Sequence, residues 1–441
     1  MSAANTESKL ESNLESKLDA LECHFTWDLN ASRSRLFFIR DQLADIGTED
    51  GFSWLGHINN LQGFVHYLLG FHEEACRFLH KATEAFRQIR NTVSDEGPWL
   101  VVNYGNLAWL HHHLGQQAQS QDYLLKVQDL MSKYPPPSQD ELHPEICAEK
   151  AWTLMKFDKE KRLQAADYFQ RAIRMNPDMV EWQTSRVLAL SNDFKANIKD
   201  LSDDILGKMK TAKEHDPNNL YLAAFYLEAR AAKGEEVEED ACDLATKVLQ
   251  KSAGTFSGLT ALLRLYRRHI SMDEAIHLAE EALARDPESR FAKRCVAICY
   301  KRRIFHERGN FESKVMDRAI SLCKEVIALY PDSSFEIKLN LAEIYAKCNV
   351  AEADQMFEDV LSAAADLEPE DRQMLYNCYA KHLHYSRRQS QKSIEYHMKA
   401  AEIPQPSRYR YNSIKQLEKI RDGNRNWKCG EIKEFLAKLP H

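Results

Sequence analysis

LTALLRLYRRHISMDEAIHLAEEALARDP, Leu259–Pro287, is the stretch that decides the fold of this 441-residue chain. Leu259 and Tyr266 belong to a first helix. Ala275, Ala279 and Ala282 put small side chains where a second helix crosses it, and Pro287 stops that second helix. The same pattern recurs outward from this unit in both directions. It reads Ala297, Tyr300, Ala319, Pro331 on one side and Ala151, Ala165, Phe169, Ala172, Pro177 on the other. Nearer the N-terminus it gives Gly63, Gly70, Ala75, Leu79, Ala82, then Leu107, Ala108, Gly115, Ser120, Leu124. Leu341, Ala342 and Tyr345 open a late copy, and Ser393 and Ala400 fall in the second helix of the last. A period of roughly 34 residues with these features is that of a tetratricopeptide array. One helix pair cannot bury its own apolar face, so pairs stack. The expected fold is all-α, a tetratricopeptide-repeat superhelix or α-solenoid.

Composition agrees. Apolar residues make up 44% of the chain, enough for a continuous core, while 15 Gly and 13 Pro are few for a sandwich or barrel. The net charge of −7 gives no general attraction for nucleic acid, so any such site must come from local clustering. The ten Cys are scattered without a CxxC, which reads as reduced thiols. The first twenty residues are polar and charged, unlike a secretory leader, and no stretch is apolar for the length of a membrane helix. The expected location is the cytoplasm, with no membrane partner.

Along the chain, Leu10, Leu14, Leu18 and Leu21 share one helical face and lead into LECHFTW, Leu21–Trp27. KYPPPSQDELHPE, Lys133–Glu145, is the strongest break. The expected divisions are an N-terminal helical segment over 1–50, first helix pairs over 51–134, a main superhelix lining a basic groove over 144–403, and C-terminal helices over 404–441. Pro177 to Pro217 spans 40 residues and Pro287 to Pro331 spans 44, so NDFKANIKD, Asn192–Asp200, and IFHERGNFESK, Ile304–Lys314, read as insertions. A drift in repeat length is equally compatible with these spacings.

First helices line the inner face of such an array. There the sequence offers Trp152 and Lys156 one turn apart, Trp182 and Arg186 one turn apart, then Tyr221 after Asn219. Further on come Arg264, Arg267 and Arg268. RFAKRCVAICYKRR, Arg290–Arg303, holds six basic residues and no acid. Acids gather in second helices such as MDEAIHLAEEAL, Met272–Leu283. A basic inner face with aromatics suits single-stranded nucleic acid, where cations hold phosphates and rings stack bases. Three alternatives stand beside it: Trp as core, Arg267 and Arg268 as helix C-terminal caps facing solvent, and an acidic peptide in the groove. Enzyme chemistry has little support. The consecutive His111, His112 and His113 point in different directions, and HExxH, nucleophile-elbow and Gly-rich phosphate motifs are absent. No cofactor or metal is expected.

LECHFTW followed by Asp28 and Leu29 closely resembles the N-terminal signature of the interferon-induced proteins with tetratricopeptide repeats. YGNLAWLHHHLGQ (Tyr104–Gln116), CAEKAWTLMKF (Cys147–Phe157), DPNNLYL (Asp216–Leu222), LYRR (Leu265–Arg268) and ICYK (Ile298–Lys301) are similar to the same family in the same order. The resemblance covers about residues 18 to 420. It implies a cytosolic antiviral effector of innate immunity, not an enzyme, that holds the 5′ end of single-stranded RNA in a positively charged tunnel. The marks read would be a 5′-triphosphate or an incompletely methylated cap, and other family members or host proteins would be further partners. The alternative is a protein-interaction scaffold without RNA contact. The Lys/Asn clamp of chaperone-binding arrays is missing, since Asn60 and Phe64 stand where Lys and Asn are wanted.

The resemblance also implies site residues. Gln42, in RDQL, matches a Gln near the 5′ phosphates. Trp152 matches a Trp supporting the cap or terminal base, and Lys156 a phosphate-binding Lys. Asn219 and Tyr221 match RNA-contacting positions, Arg264 a basic groove position, and Arg294 a position where some members carry an RNA-contacting His. The chain departs from the family pattern in places. Arg162 stands at a phosphate-pocket Tyr, Asn192 at a key phosphate-binding Arg, and Thr260 at another groove Arg. Arg186 is the residue that would supply the charge missing at Asn192. The last repeat of longer members, used in some for self-association, is not matched.

Overall fold

The computed structural model describes residues 14–46, 53–90, 96–138, 140–191, 194, 198–255, 257–306, 313–423 and 428–439. Leu10, Asn192 and most of the two insertions lie outside the described residues. Among the described residues there is no strand. A short helix over 14–19 and the single turn His24–Thr26 precede α1, Arg33–Ala44. Antiparallel pairs then follow: α2 Leu55–Leu68 with α3 His72–Arg90, α4 Val101–His113 with α5 Gln117–Lys133, and α6 Pro144–Leu154 with α7 Lys159–Met175. Next come α8 Val180–Ser191 with α9 Asp203–His215, α10 Leu220–Ala232 with α11 Glu238–Leu249, and α12 Leu259–His269 with α13 Met272–Arg285. The later pairs are α14 Arg290–His306 with α15 Ser313–Leu329, α16 Phe335–Cys348 with α17 Val350–Ser362, and α18 Pro369–Tyr385 with α19 Ser390–Glu402. Helices α20, Arg408–Gly423, and α21, Cys429–Lys438, close the chain. The expected all-α repeat fold is what the structure shows.

The chain divides into two compact units, Met1–Ala282 and Leu283–His441. Within each, the small residues do what the repeat demands. A Cβ built on Gly63 would stand 2.6 Å from Leu79 of the partner helix, so only glycine lets α2 and α3 approach this closely. Ser120 and Ser393 occupy corresponding positions in α5 and α19. Each turns its hydroxyl onto a carbonyl of the paired helix, Ala108 at 2.9 Å and Ala380 at 2.7 Å. Phe157, Phe169 and Phe225 fill the first unit, Tyr330 and Phe357 the second. Burying each such ring contributes about 1.5–3 kcal/mol.

LECHFTW earns its place by packing. Phe25 meets Phe64, Tyr67 and Trp109, and Leu14 and Leu18 pack on Ala108 and Leu124. Buried His24 accepts or donates to Asn106 and Thr153, each at 3.0 Å. Burial lowers its pKa to about 3, so the ring is neutral. A second polar chain crosses the same unit. Thr83 donates to Asn103 at 2.6 Å, Asn103 to Asn60 at 2.7 Å, and Asn60 to the fully buried Glu149 at 2.8 Å. It ties α2, α3, α4 and α6 together. Of these, buried Asn60 is what the array has where a chaperone clamp would need a charged Lys.

The first unit also closes on itself. Thr255, just before α12, donates its N–H to the Asp45 carbonyl at 2.9 Å and its hydroxyl to the Gln42 carbonyl at 3.2 Å. These carbonyls end α1, where helical partners run out. No helix among the described residues is long and apolar enough to cross a membrane, and all ten cysteines are free thiols.

Candidate nucleic-acid interface

The site is built around the turn that joins α6 to α7. Helix α6 ends at Leu154, and Asp158 caps α7 by accepting the Lys161 N–H at 2.9 Å. Two guanidinium groups grip the carbonyls exposed between them. Arg35 of α1 donates to the Lys156 carbonyl at 2.7 Å, and Arg162 of α7 donates to the Phe157 carbonyl at 2.8 Å. Lys156 sits in the same turn with its Nζ 4.2 Å from the centre of the Trp152 ring. Arg35, Lys156 and Arg162 therefore converge on four residues of backbone. All three are half-buried, which strengthens their field by reducing screening.

Trp152 is not an open platform. It is 2% exposed and stacks on Trp54 at 5.8 Å, with the Lys156 ammonium over its ring. Its place is the core, where it fixes the position of Lys156. The helical spacing that aligns the two residues is compatible with either role, and only packing separates them.

Helix α1 extends the site. Its apolar side, Leu36, Ile39 and Leu43, is buried. Its other side carries Arg33, Arg35 and Arg40 interleaved with Phe37 and Phe38, each cation about 5 Å from a ring. Gln42 lies at its far end, half-buried, beside the Thr255 closure. From Arg35 to Gln42 the helix rises about 10 Å. Gly258, just before α12, comes close to α10. Gly258 has φ +87°, and a Cβ there would stand 2.8 Å from the Leu220 carbonyl and 3.2 Å from the Tyr221 nitrogen. Thr255 thus meets the end of α1 at the Gln42 carbonyl, and Gly258 meets the backbone at the start of α10.

Around α10 and α12 the expectation of a freely basic inner face needs correcting. Glu228 of α10 is 0% exposed, and both Arg264 and Arg268 of α12 bind it. Arg264 Nε donates to both carboxylate oxygens at 2.7 Å, and Arg268 Nη1 donates at 2.9 Å. Burial works against the Arg264 charge, but the carboxylate overrides it and holds the pKa above the ordinary arginine value. Arg268, though exposed, is tied to a buried acid and is more than a simple cap. Glu149 and Glu343 also lie on first helices, so acids are not confined to the outer ones. In the second unit Lys301 pairs with Glu343 at 2.9 Å, and Lys293 with Glu325 at 3.3 Å.

The remaining expected residues are spread out. Asn219 caps α10, accepting the Leu222 N–H at 3.0 Å and donating to Asp216 at 3.2 Å. Arg186 borders a cavity of about 540 Å³ with Gln170 and Ile173 of α7 and Gly207, Lys208 and Thr211 of α9. Trp182, one turn earlier, is buried in the core. Arg294, in the second unit, lies with its guanidinium 5.5 Å from the Tyr330 ring. Sequence reasoning missed Arg35, Glu228 and Thr255. Three Arg in RSRLFFIR signal the first. The lone acid in LYLAAFYLEARAA signals the second. Nothing local signals the third.

Comparison with known proteins gives this geometry a setting. The tetratricopeptide-repeat profile matches residues 55–133. The human antiviral innate immune response effector IFIT1 is 24% identical over 92% of this chain and 87% of its own. Human interferon-induced protein with tetratricopeptide repeats 2 is 26% identical, over 93% of this chain and 88% of its own. Among solved structures, the human IFIT1 dimer with m7Gppp-AAAA superposes with a TM-score of 0.71 at 23% identity, over 97% of this chain and 95% of that one. The human IFIT1 dimer with PPP-AAAA gives a TM-score of 0.69 at 24% identity, over 96% of each chain. These superpositions show a shared fold along nearly the whole length.

Proposed function

Since this chain belongs to the family of interferon-induced proteins with tetratricopeptide repeats, we propose that it is a cytoplasmic antiviral effector that binds the 5′ end of single-stranded foreign RNA. The observation that carries this reading is the convergence of Arg35, Lys156 and Arg162 on the turn between α6 and α7. Three cations around one short turn suit a ligand with several adjacent negative charges, as at a 5′-triphosphate or the triphosphate bridge of a cap. The solved relatives bound to m7Gppp-AAAA and PPP-AAAA support the same ligand class.

In this reading Lys156 and Arg162 meet the 5′ phosphates, with Gln42 beyond them along α1. Trp152 holds Lys156 from beneath. Asn219 keeps the start of α10 in place, and Tyr221 follows it in the first turn of that helix. Arg264 contributes through its pair with Glu228, which leaves one net positive charge on the group it forms with Arg268. Arg186 and Arg294 are further contacts of the reading. The role is binding, not catalysis.

The test compares one RNA sequence carrying a 5′-triphosphate, a cap or a 5′-hydroxyl. Tighter binding of the first two is expected. Equal affinity for all three would leave a basic surface without 5′-end recognition. No affinity for any would favour a scaffold that binds protein.

A further inference from the structure

The turn between α18 and α19 differs from three others in the fold. Gly70, between α2 and α3, has φ +88°, Gly115, between α4 and α5, has φ +72°, and Gly234, between α10 and α11, has φ +89°. Between α18 and α19 the left-handed residue is Arg388, at φ +54°. A Cβ disfavours this region, and a turn that needs it ordinarily takes glycine. An outlier kept against that preference points to a use for its side chain.

The surrounding sequence supplies the use. Arg387, Arg388, Gln389 and Ser390 place two arginines three and two residues before a serine. The chain has three Arg-Arg pairs, at 267–268, 302–303 and 387–388, and only the last is followed by Ser at that spacing. Protein kinases with acidic pockets bind this arrangement, and charge patterns are how kinases tell substrates apart. The structure makes the serine available. All four residues are exposed, and the first three lie outside any helix. The turn is held by the Arg387 N–H, which donates to the His382 carbonyl at 3.2 Å, and the Gln389 N–H, which donates to the Leu383 carbonyl at 2.8 Å. Arg387 pairs with Asp354 of α17 at 2.9 Å, but an ion pair at the surface is worth little and releases easily. Three other serines follow an arginine by three residues, and each is closed off. Ser413, after Arg410, is buried and accepts from Asn377 at 2.8 Å. Ser321, after Arg318, lies within α15 and donates to Glu325 at 3.2 Å. Ser271, after Arg268, accepts the Glu274 N–H at the start of α13, while Arg268 holds Glu228.

We propose that Ser390 is phosphorylated by a protein kinase that binds Arg387 and Arg388. ATP is the donor. Ser390 Oγ bonds to the γ-phosphorus as the bond from that phosphorus to the β,γ-bridging oxygen breaks. ADP leaves, and the hydroxyl proton passes to the kinase's catalytic base. The product suits the fold. Ser390 begins α19, whose leading N–H groups lack helical acceptors and whose dipole favours negative charge. The sequence holds no acid from Arg372 to Ile394, so no neighbour along the chain repels the phosphate. Phosphorylation here is independent of RNA binding.

The test incubates the full-length chain with the catalytic subunit of cAMP-dependent protein kinase, Mg²⁺ and ATP labelled in its γ-phosphate. Mass spectrometry then maps the label. The native chain should be labelled at Ser390, and Ser390→Ala should lose that label. Arg388→Gly keeps the turn, since glycine serves in the three sister turns, but removes one of the two charges. It should lower kcat/KM for labelling by about 30-fold or more, the loss expected when one partner of a buried charge pair is removed. Circular dichroism checks that both variants remain helical. A native chain that takes no label at Ser390, or takes it there only after heat denaturation, would overturn the proposal. So would equal labelling rates in the wild type and Arg388→Gly.

Discussion

Lys156 and Trp152 show how one helical turn can carry two different roles. The ammonium lies over the ring of a tryptophan that is itself stacked on Trp54 in the core. Trp152→Ala should therefore cost ~3–5 kcal/mol through lost burial and the cavity left behind. A thermal melt checks this, and an unchanged melting temperature would return Trp152 to the surface. Lys156→Ala should leave stability alone, because a half-exposed lysine contributes little to it. It should weaken 5′-triphosphate RNA more than 5′-hydroxyl RNA, since the extra charge lies at that point. Arg264 should behave differently from Lys156. Removing it takes away most of the bonds to a fully buried carboxylate, so Arg264→Ala should lower the melting temperature as well as any RNA affinity. Equal stability of the Arg264 and Lys156 variants would contradict the buried pair. The sequence makes both residues legible as basic. It gives no sign that one is committed to an acid a repeat away.

At the scale of the helix, the polar chain Thr83–Asn103–Asn60–Glu149 has a consequence that depends on pH. Burial raises the Glu149 pKa from 4.5 to about 8, and the Asn60 hydrogen bond offsets this only in part. The folded state then holds a proton that the unfolded chain has released. Stability from this group is fully present below about pH 4.5 and is lost as pH rises toward 8. His24 works in the opposite sense. Its pKa falls from 6.5 to about 3, so its contribution is present above 6.5 and lost as pH falls through that window. A Glu149→Gln variant isolates the first effect. Relative to the wild type, its melting temperature should rise between pH 5 and pH 8. A constant offset across that range would mean Glu149 is ionised in the folded state. The helices themselves were plain in the sequence, down to Pro144 at the start of α6 and the break after Lys133. The polar chain was not, because its four members come from four helices and share no motif.

Across the whole molecule, helix should dominate the circular dichroism spectrum with negligible strand. A strand contribution above about a tenth would contradict the array. RNA affinity should fall steeply with salt, with a logarithmic slope of ~0.7 per phosphate neutralised on single strands. Since Glu228 and Glu343 neutralise part of the basic inner face, the slope should be smaller than a count of Arg and Lys on the first helices suggests. Charging both acids off, as Glu228→Gln and Glu343→Gln, should steepen it. An unchanged slope would show that neither acid competes with phosphate for its cations.

The sequence by itself determined the repeat, the break at Lys133–Glu145, the small residues at each crossing, and the stretches that carry positive charge. These follow from local rules: helical period, capping, and the space that Gly63 or Ser120 leaves for a neighbour. The tertiary structure alone decided which cations are neutralised, that Trp152 and Trp182 are core, which helices Arg186 lies between, and where the first unit closes. Each of these depends on how neighbouring helices are rotated against one another, a small angle per repeat that accumulates along the array. Arg264 reaches Glu228 because two first helices 36 residues apart present facing turns. Thr255 reaches Gln42 across 213 residues because the rotations of every intervening pair add up to a closed path. No window of sequence contains that sum.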